Sequence, residues 1–320
     1  MSGIPPHKIV NVTIGPEIAR YGFLDGHPFG PYRMQAFWDE AMRQGLDHQV
    51  RVVQPVLATE QELLRFHTLE YVRQVQEQSV TGAGCLDHGD TPAYPGVYEA
   101  AAHVVGSALD AMRQIMAGTC AHAFVPIAGL HHARPDTARG FCVFNDIGVL
   151  IHSLRQEYGI QRIAYVDIDA HHGDGVFYAF ESDPQVRILD FHQEYIYPGT
   201  GDASEHGKHK AKNTKLNIPL PFRAGDAYFM QHWLQGSRFL EKGEPEFIIL
   251  QCGADSIAGD PLAQLHLSSA IHGQVAAHLV HLAERLGHGR LLALGGGGYN
   301  SINIGQGWCA VVQALVHGPG

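Results

Sequence analysis

Short apolar runs alternate along this chain with stretches of helical spacing. Arg162-Ile163-Ala164-Tyr165-Val166 is nearly continuous in apolar residues, as expected of a strand covered on both faces. Similar runs at 121–128, 186–191, 246–250 and 291–294 predict further buried strands, and 50–56 predicts another. Between them the period lengthens. Met34, Phe37, Trp38, Ala41 and Met42 mark one face of a helix beginning near Pro31, with Arg33 just inside it. Val97, Ala101, Val104, Ala108, Met112 and Ile115 mark a longer helix whose small residues suit close packing on a sheet. Ile271, Val275, Leu279, Leu282 and Leu286 mark a third over 268–286, and a last one covers roughly 304–316.

Local signals place the ends. Thr59 followed by Glu62 is a capping box opening a short helix, and Asn145 or Asp146 caps the helix after 140–146. Residues 1–30 are rich in Gly and Pro and lack a period. Residues 81–95 form a Gly-rich loop carrying Asp87, His88 and Asp90, and 204–215 is a polar, basic surface excursion. Alternating apolar strands and amphipathic helices predict an α/β fold, a central parallel sheet with helices on both faces. No linker or internal repeat interrupts 1–320, so one domain is expected.

Composition narrows the function classes. A hydrophobic fraction of 45% and a charged fraction of 17% are those of a globular protein. The formal net charge is −10 and there is no long Lys/Arg block, which argues against a phosphate-binding surface and a nucleic-acid partner. Cys85, Cys120, Cys142, Cys252 and Cys309 are scattered and form no CxxC, as for reduced thiols of a cytoplasmic protein. No basic-then-apolar leader pattern is visible and no apolar run reaches about 18 residues, so no membrane association is expected.

The chemistry concentrates where the strands end. After the 162–168 strand comes Asp167-Ile168-Asp169-Ala170-His171-His172-Gly173-Asp174-Gly175. Buried carboxylates and imidazoles without partners cost several kcal/mol, and a bound cation satisfies them. Asp169 and His171 are two apart and face one side of an extended segment, with Asp167 behind them. Read instead as surface histidines before a helix capped by Asp174, the stretch leaves its other acids unexplained. Three more strands end in Gly129-Leu130-His131-His132, in Cys252-Gly253-Ala254-Asp255, and in Gly295-Gly296-Gly297-Gly298-Tyr299. Ligands of open α/β sheets sit beyond the carboxyl ends of the strands, so these loops should converge. Asp255 then joins Asp169 and His171 as a third ligand, and three ligands with an open position describe a catalytic zinc site. The donor set also suits Fe²⁺ or Mn²⁺. The pair His131-His132 can supply a base for metal-activated water, leaning on Asp167 and Asp174. The glycines before Tyr299 let its phenol approach the metal, where it would stabilise an oxyanion.

These motifs resemble the zinc-dependent histone deacetylase family, including bacterial acetoin-utilisation and acetylpolyamine branches. GLHHARPDTARGFCVFND, VDIDAHHGDG, PGTGD, CGADSIAGDPL and GGGGYN carry the likeness, which spans nearly the whole chain. The resemblance implies an arginase/deacetylase α/β fold, with the active site at the C-terminal strand ends, and hydrolysis of an acylated amine, typically acetyl-lysine. It implies Asp169, His171 and Asp255 as zinc ligands and His132 as base and then acid. His131 would be its electrostatic partner, Asp167 and Asp174 the dyad acids, and Tyr299 the carbonyl polariser. Phe141 and Tyr197 would wall a tunnel for the lysine stem, with Tyr197 where many members have Phe. Leu262 falls at the rim, Asp90 where a loop acid holds the substrate backbone, Arg33 along an inner pocket, and Gly129 among the substrate-binding positions. The family also binds potassium near the zinc through main-chain oxygens around Asp167, Asp169 and His171. Asp190 stands there where many relatives have Ser.

Other readings compete. An arginase-like binuclear manganese hydrolase needs an acid two positions after the ligand His, and Gly173 stands there. A dinucleotide enzyme is suggested by 295–298, but no Asp or Glu follows to hold a ribose. A non-catalytic binding module would not need the intact ligands, base and phenol. Within the family, the polyamine branch carries a long inserted loop, and the segment between His67 and Asp90 has no room for one. An acyl-lysine peptide or protein is therefore the expected substrate, with acetylpolyamine as the alternative and the acyl length open.

Overall fold

The computed structural model describes residues 9–23 and 26–318. Eight strands form one sheet: β1 Val10–Thr13, β2 Arg51–Val53, β3 His122–Val125, β4 Ile163–Asp167, β5 Val186–Gln193, β6 Lys215–Leu220, β7 Phe247–Gln251 and β8 Leu291–Leu294. Every pairing is parallel, in the order β2-β1-β3-β8-β7-β4-β5-β6. The helices are α1 Pro16–Ala19, α2 Arg33–Arg43, α3 Glu60–Leu63, α4 Leu69–Thr81, α5 Val97–Met116, α6 Asp146–Tyr158, α7 Asp174–Phe180, α8 Asp226–Glu241, α9 Ser269–Arg285 and α10 Ser301–His317. One group packs α10 against α9 and α2; another packs α5 against α1, α4 and α6.

The strand order decides where the site forms. β3, β8, β7 and β4 are consecutive neighbours at the centre of the sheet. All four are buried along their whole length, as their apolar runs require, because helices cover both faces of a parallel sheet. Asp167 of β4 pairs with Gln251 of β7, and Gln251 with Leu294 of β8, so these strands end level with one another. Loops far apart in sequence therefore leave the sheet side by side.

The helical stripes behave as their spacing predicts, with exceptions at the edges. Val97, Ala101, Val104, Ala108, Met112 and Ile115 of α5 are all buried, whereas Met42 of α2 is 45% exposed and lies off the packed face of Met34, Phe37 and Ala41. The capping box is present: Thr59 Oγ1 accepts the Glu62 N–H, and the Glu62 carboxylate accepts the Thr59 N–H. Asn145 caps α6 by accepting the Gly148 N–H.

Several elements differ from the pattern. The strand expected over 50–56 is only Arg51–Val53, because Pro55 cannot donate to a ladder. The Gly/Pro-rich opening contains β1; residues 1–8 of that stretch lie outside the described residues. β6, α4 and α8 carried no recognised signal. β6 holds Lys215, Asn217 and Pro219, which break its apolar alternation and are tolerated because it is an edge strand. The basic excursion before it lies mainly at the surface.

Candidate active site

The site is built on loops that the framework pins from behind. Asp146, the first residue of α6, accepts the Gly129 N–H through Oδ2 and the Leu130 N–H through Oδ1, each at 2.8 Å. Asn145 Nδ2 donates to the Ala133 carbonyl at 2.8 Å. The GLHH turn is thereby held at both ends by one helix start. Asn145 is itself held by His67, whose Nε2 accepts the Asn145 N–H at 2.9 Å while Nδ1 faces the Pro135 carbonyl at 3.3 Å.

His67 carries a pH signature. Burial pulls its pKa from 6.5 down to about 3, against smaller upward pulls from the Pro135 and Arg134 backbone. Between those two values the unfolded chain binds the extra proton, so stability rises with pH through that window and is lost as pH falls from 6.5. The shift amounts to several kcal/mol in order of magnitude. Urea midpoints at pH 7 and pH 4 should therefore fall more steeply for the wild type than for His67→Gln; equal slopes would refute the assignment.

Two imidazole–carboxylate pairs lie under the tunnel. His131 Nδ1 is 2.8 Å from Asp167 Oδ2, and His132 Nδ1 is 2.8 Å from Asp174 Oδ1. Their Nε2 atoms face each other at 3.0 Å. The pairs are not equivalent. Burial lowers both rings' pKa values, but the charges of Asp167 and Asp169 outweigh it at His131 and lift that ring to about 9. At His132 burial dominates, the charge on His131 adds to it, and the ring falls to about 4. The surroundings thus favour a charged His131 and a neutral His132. Asp167 also accepts from the Tyr165 hydroxyl, and Arg134 and Arg139 lie within 3.4 and 3.3 Å of Asp174 Oδ2.

Asp169, His171 and Asp255 come together as the sequence suggested. Each offers a ligand atom within 4.8 Å of the others, and all three are buried. His171 Nδ1 lies 3.1 Å from Asp169 Oδ1 and 3.0 Å from Asp255 Oδ2. Burial lowers the His171 pKa, yet the bonds to both carboxylates carry it up to about 10, while burial and the Asp169 charge push Asp255 up to about 7. Two buried carboxylates here demand a positive charge, and the carboxylate, imidazole and carboxylate donors fit a divalent metal. This is the only such group among the described residues.

Supporting contacts fix these ligands. Gln251 Nε2 and the Gly297 N–H both donate to Asp169 Oδ2 at 2.8 Å. A side chain at Gly297 would collide with the Asp255 carboxylate, so the glycine is what lets this backbone close on the site. Sequence reasoning did not assign roles to Gln251, Asp260 or Arg139. Gln251 was legible only as a polar residue closing an otherwise apolar strand. Asp260 Oδ2 accepts the Tyr299 N–H at 2.9 Å and so sets where the phenol stands.

A cavity of about 240 Å³ opens over the metal group, lined by Asp90, His132, Gly140, Phe141, His171, Ile196, Tyr197, Leu262 and Tyr299. Phe141, Tyr197, Leu262 and Asp90 are all in this lining, together with Ile196 and Gly140. Tyr299 is braced edge-on by Phe29 and Phe141, with ring centroids 6.3 and 6.1 Å away. Gly129 is not in this lining; it lies beneath, against Gly296. Arg33 is not in the lining either, and it is fully buried rather than solvated. Its Nε donates to the Gly298 carbonyl at 2.9 Å, its Nη2 bonds Gly296 O, and its guanidinium lies 3.9 Å over the Phe29 ring. Its Nη1 is buried without a partner among the described residues.

The comparisons with known proteins agree with this geometry. The histone deacetylase domain model matches residues 27–315. The chain belongs to the histone deacetylase family. It is 36% identical to the acetoin utilization protein AcuC of Bacillus subtilis over 302 residues, covering 89% of this chain and 76% of that one. It is 31% identical to histone deacetylase RPD3 of Saccharomyces cerevisiae over 303 residues, covering 92% and 68%. The crystal structure of the HDA15 HD domain superposes with a TM-score of 0.89 at 26% identity, covering 98% of this chain and 89% of that one. The fold is that of the arginase/deacetylase class, and the chain is a deacetylase-family hydrolase whose Asp169, His171 and Asp255 cluster, which could hold a metal ion, lies at the carboxyl ends of β4 and β7.

Proposed function

We propose that this chain is a zinc-dependent hydrolase that removes acetyl or related acyl groups from lysine side chains of peptides or proteins. The observation that carries the reading is the cavity of about 240 Å³ that Phe141 and Tyr197 line together with His132, His171 and Tyr299. A linear acyl-lysine stem lying along the Phe141 and Tyr197 rings would bring its amide toward His132, His171 and Tyr299. Asp90 at the rim can accept from substrate backbone N–H groups. Burial first, and then the neighbouring Asp87, raise the Asp90 pKa to about 6.

Asp169, His171 and Asp255 would hold the zinc, and ferrous iron suits the same donors. When bound, such an ion polarises the acyl carbonyl and acidifies a water molecule. His132 would be the proton acceptor for an attacking water, since its surroundings favour the neutral ring and Asp174 fixes its Nδ1. His131, held charged by Asp167, stabilises the negative charge that develops beside it. The Tyr299 hydroxyl donates to the carbonyl oxygen as it becomes an oxyanion. His132 then returns its proton to the leaving amine.

Potassium has weaker support. Asp190 Oδ2 already accepts the Gly173 N–H at 2.9 Å, and Oδ1 lies 2.8 Å from His192 Nδ1. A cation there would rely on the main-chain oxygens of Asp167, Asp169 and His171. A cytoplasmic setting is supported by five free cysteines, four of them buried. Among the described residues no helix is long and apolar enough to cross a membrane. A peptide rather than a polyamine is supported by the segment after His67, which is taken up by α4 and a short loop leading to Asp90.

The test is a side-by-side hydrolysis assay on the zinc-loaded protein, using acetyl-lysine peptides, lactyl- and longer acyl-lysine peptides, and acetylated polyamines. Faster turnover of the peptides is expected, with the acyl series reporting tunnel depth. Preference for acetylpolyamines would overturn the substrate assignment.

A further inference from the structure

We propose that the Tyr197 hydroxyl and Arg139 form a brace joining the tunnel wall to the carboxylate behind His132, so that both are positioning residues for the hydrolysis. The proposal rests on the lysine-deacylase reading above and assigns a task to two groups it leaves unused.

Tyr197 contributes its ring to the cavity lining, which a phenylalanine would do equally well. Its hydroxyl makes one hydrogen bond among the described residues, accepting from Arg139 Nε at 3.2 Å. The same Nε lies 3.3 Å from Asp174 Oδ2, and the guanidinium carbon lies 5.8 Å from the Tyr197 ring centroid. Asp174 is fully buried and has a second task, because its Oδ1 holds His132 Nδ1 at 2.8 Å. The circuit closes on itself, since the His132 ring meets the Tyr197 ring edge-on with centroids 5.1 Å apart. Gly140 sits inside this ring of contacts. A side chain there would come within 2.6 Å of His132 and 2.9 Å of Tyr197. Wall, guanidinium, carboxylate and base therefore share one packed arrangement.

Arg139 is a long side chain, 34% exposed, and would sample many rotamers if released. Asp174 alone does not hold it: Arg134 competes for the same oxygen at 3.4 Å. The Nε–H bonds the phenolic oxygen, and the charge of Asp174 Oδ2 3.3 Å away completes the seat that fixes the guanidinium between wall and dyad. Losing either partner lets the guanidinium drift from Asp174 Oδ2, which Arg134 Nη2 then holds alone from its own side, and His132 shifts with the carboxylate. Displacements of about 1 Å at a catalytic group cost up to about a hundredfold in rate.

The experiment is a double-mutant cycle on the zinc-loaded enzyme with Tyr197→Phe, Arg139→Met and the pair, assayed on an acetyl-lysine peptide. Each single variant should lower kcat about tenfold with KM within about twofold, and the double variant should lose no more than either. Arg139→Lys, which keeps the charge and a donor, should recover part of the loss. Additive losses, singles with wild-type kcat, or changes confined to KM would overturn the brace. If the wild type hydrolyses no acyl-lysine peptide, the substrate reading fails, and the brace is read from the ring NMR signals of His132. Equal displacement of those signals in both singles and the double supports it; unmoved signals overturn it.

Discussion

Tyr299→Phe should lose turnover by roughly a thousandfold while the protein keeps its full complement of metal. The ring has its own supports: the Asp260 carboxylate on its backbone N–H, Phe29 and Phe141 edge-on, and Tyr32 donating to its carbonyl at 3.1 Å. None of these uses the hydroxyl, which has no partner among the described residues. Burial, reinforced by the charges of Asp255 and Asp169, raises the phenol pKa well above 10, so it stays a donor at working pH. Deleting one preorganised donor to an oxyanion typically costs about 10²–10³ in kcat. The measurements are kcat on an acetyl-lysine peptide and metal content by elemental analysis. Near-wild-type kcat removes Tyr299 from the chemistry; lost metal with lost activity makes its role structural.

The second large effect is expected at the ligands. In His171→Ala, Asp169 and Asp255 would face each other in a buried site without the imidazole that lies within 3.1 Å of both. Like charges brought together out of water raise one another's pKa, and protonated carboxyls are poor ligands. Disturbing groups behind a metal ligand already costs up to about a hundredfold in affinity, so losing a ligand should exceed about a hundredfold. After dialysis against a metal buffer, the variant should retain little zinc and no activity. Stoichiometric zinc in His171→Ala would show that the ion is held elsewhere.

The residues of the site were legible because their chemistry is dense and their spacing short. Asp169 and His171 declare a shared side of an extended segment, and tandem His131-His132 after an apolar run declares a strand end. What pairs with what was not legible. Nothing in the sequence says that β8 and β7 insert between β3 and β4, and only that order brings Asp255 and Tyr299 to the histidines. The convergence of strand ends grouped Asp255 with Asp169 and His171 without that order, and the resemblance to a known family implied the same grouping. Roles that act through backbone, such as Asp260 beneath Tyr299, left no mark, since one loop acid looks like another. β6 and α8 were missed for a different reason: edge elements need little apolar pattern, so their sequences carry little signal.

The central position of β3, β8, β7 and β4 bears on how the molecule opens. Each of the four is flanked by a strand on either side, whereas β2 and β6 each have one neighbour. Partial unfolding proceeds through cooperative units, and the least supported ones open first. The reactive groups are thus anchored in the segment of the sheet expected to exchange its amide protons last. Fluctuations at the rim, where a substrate must enter and leave, can be large without dismantling the centre that reacts with it.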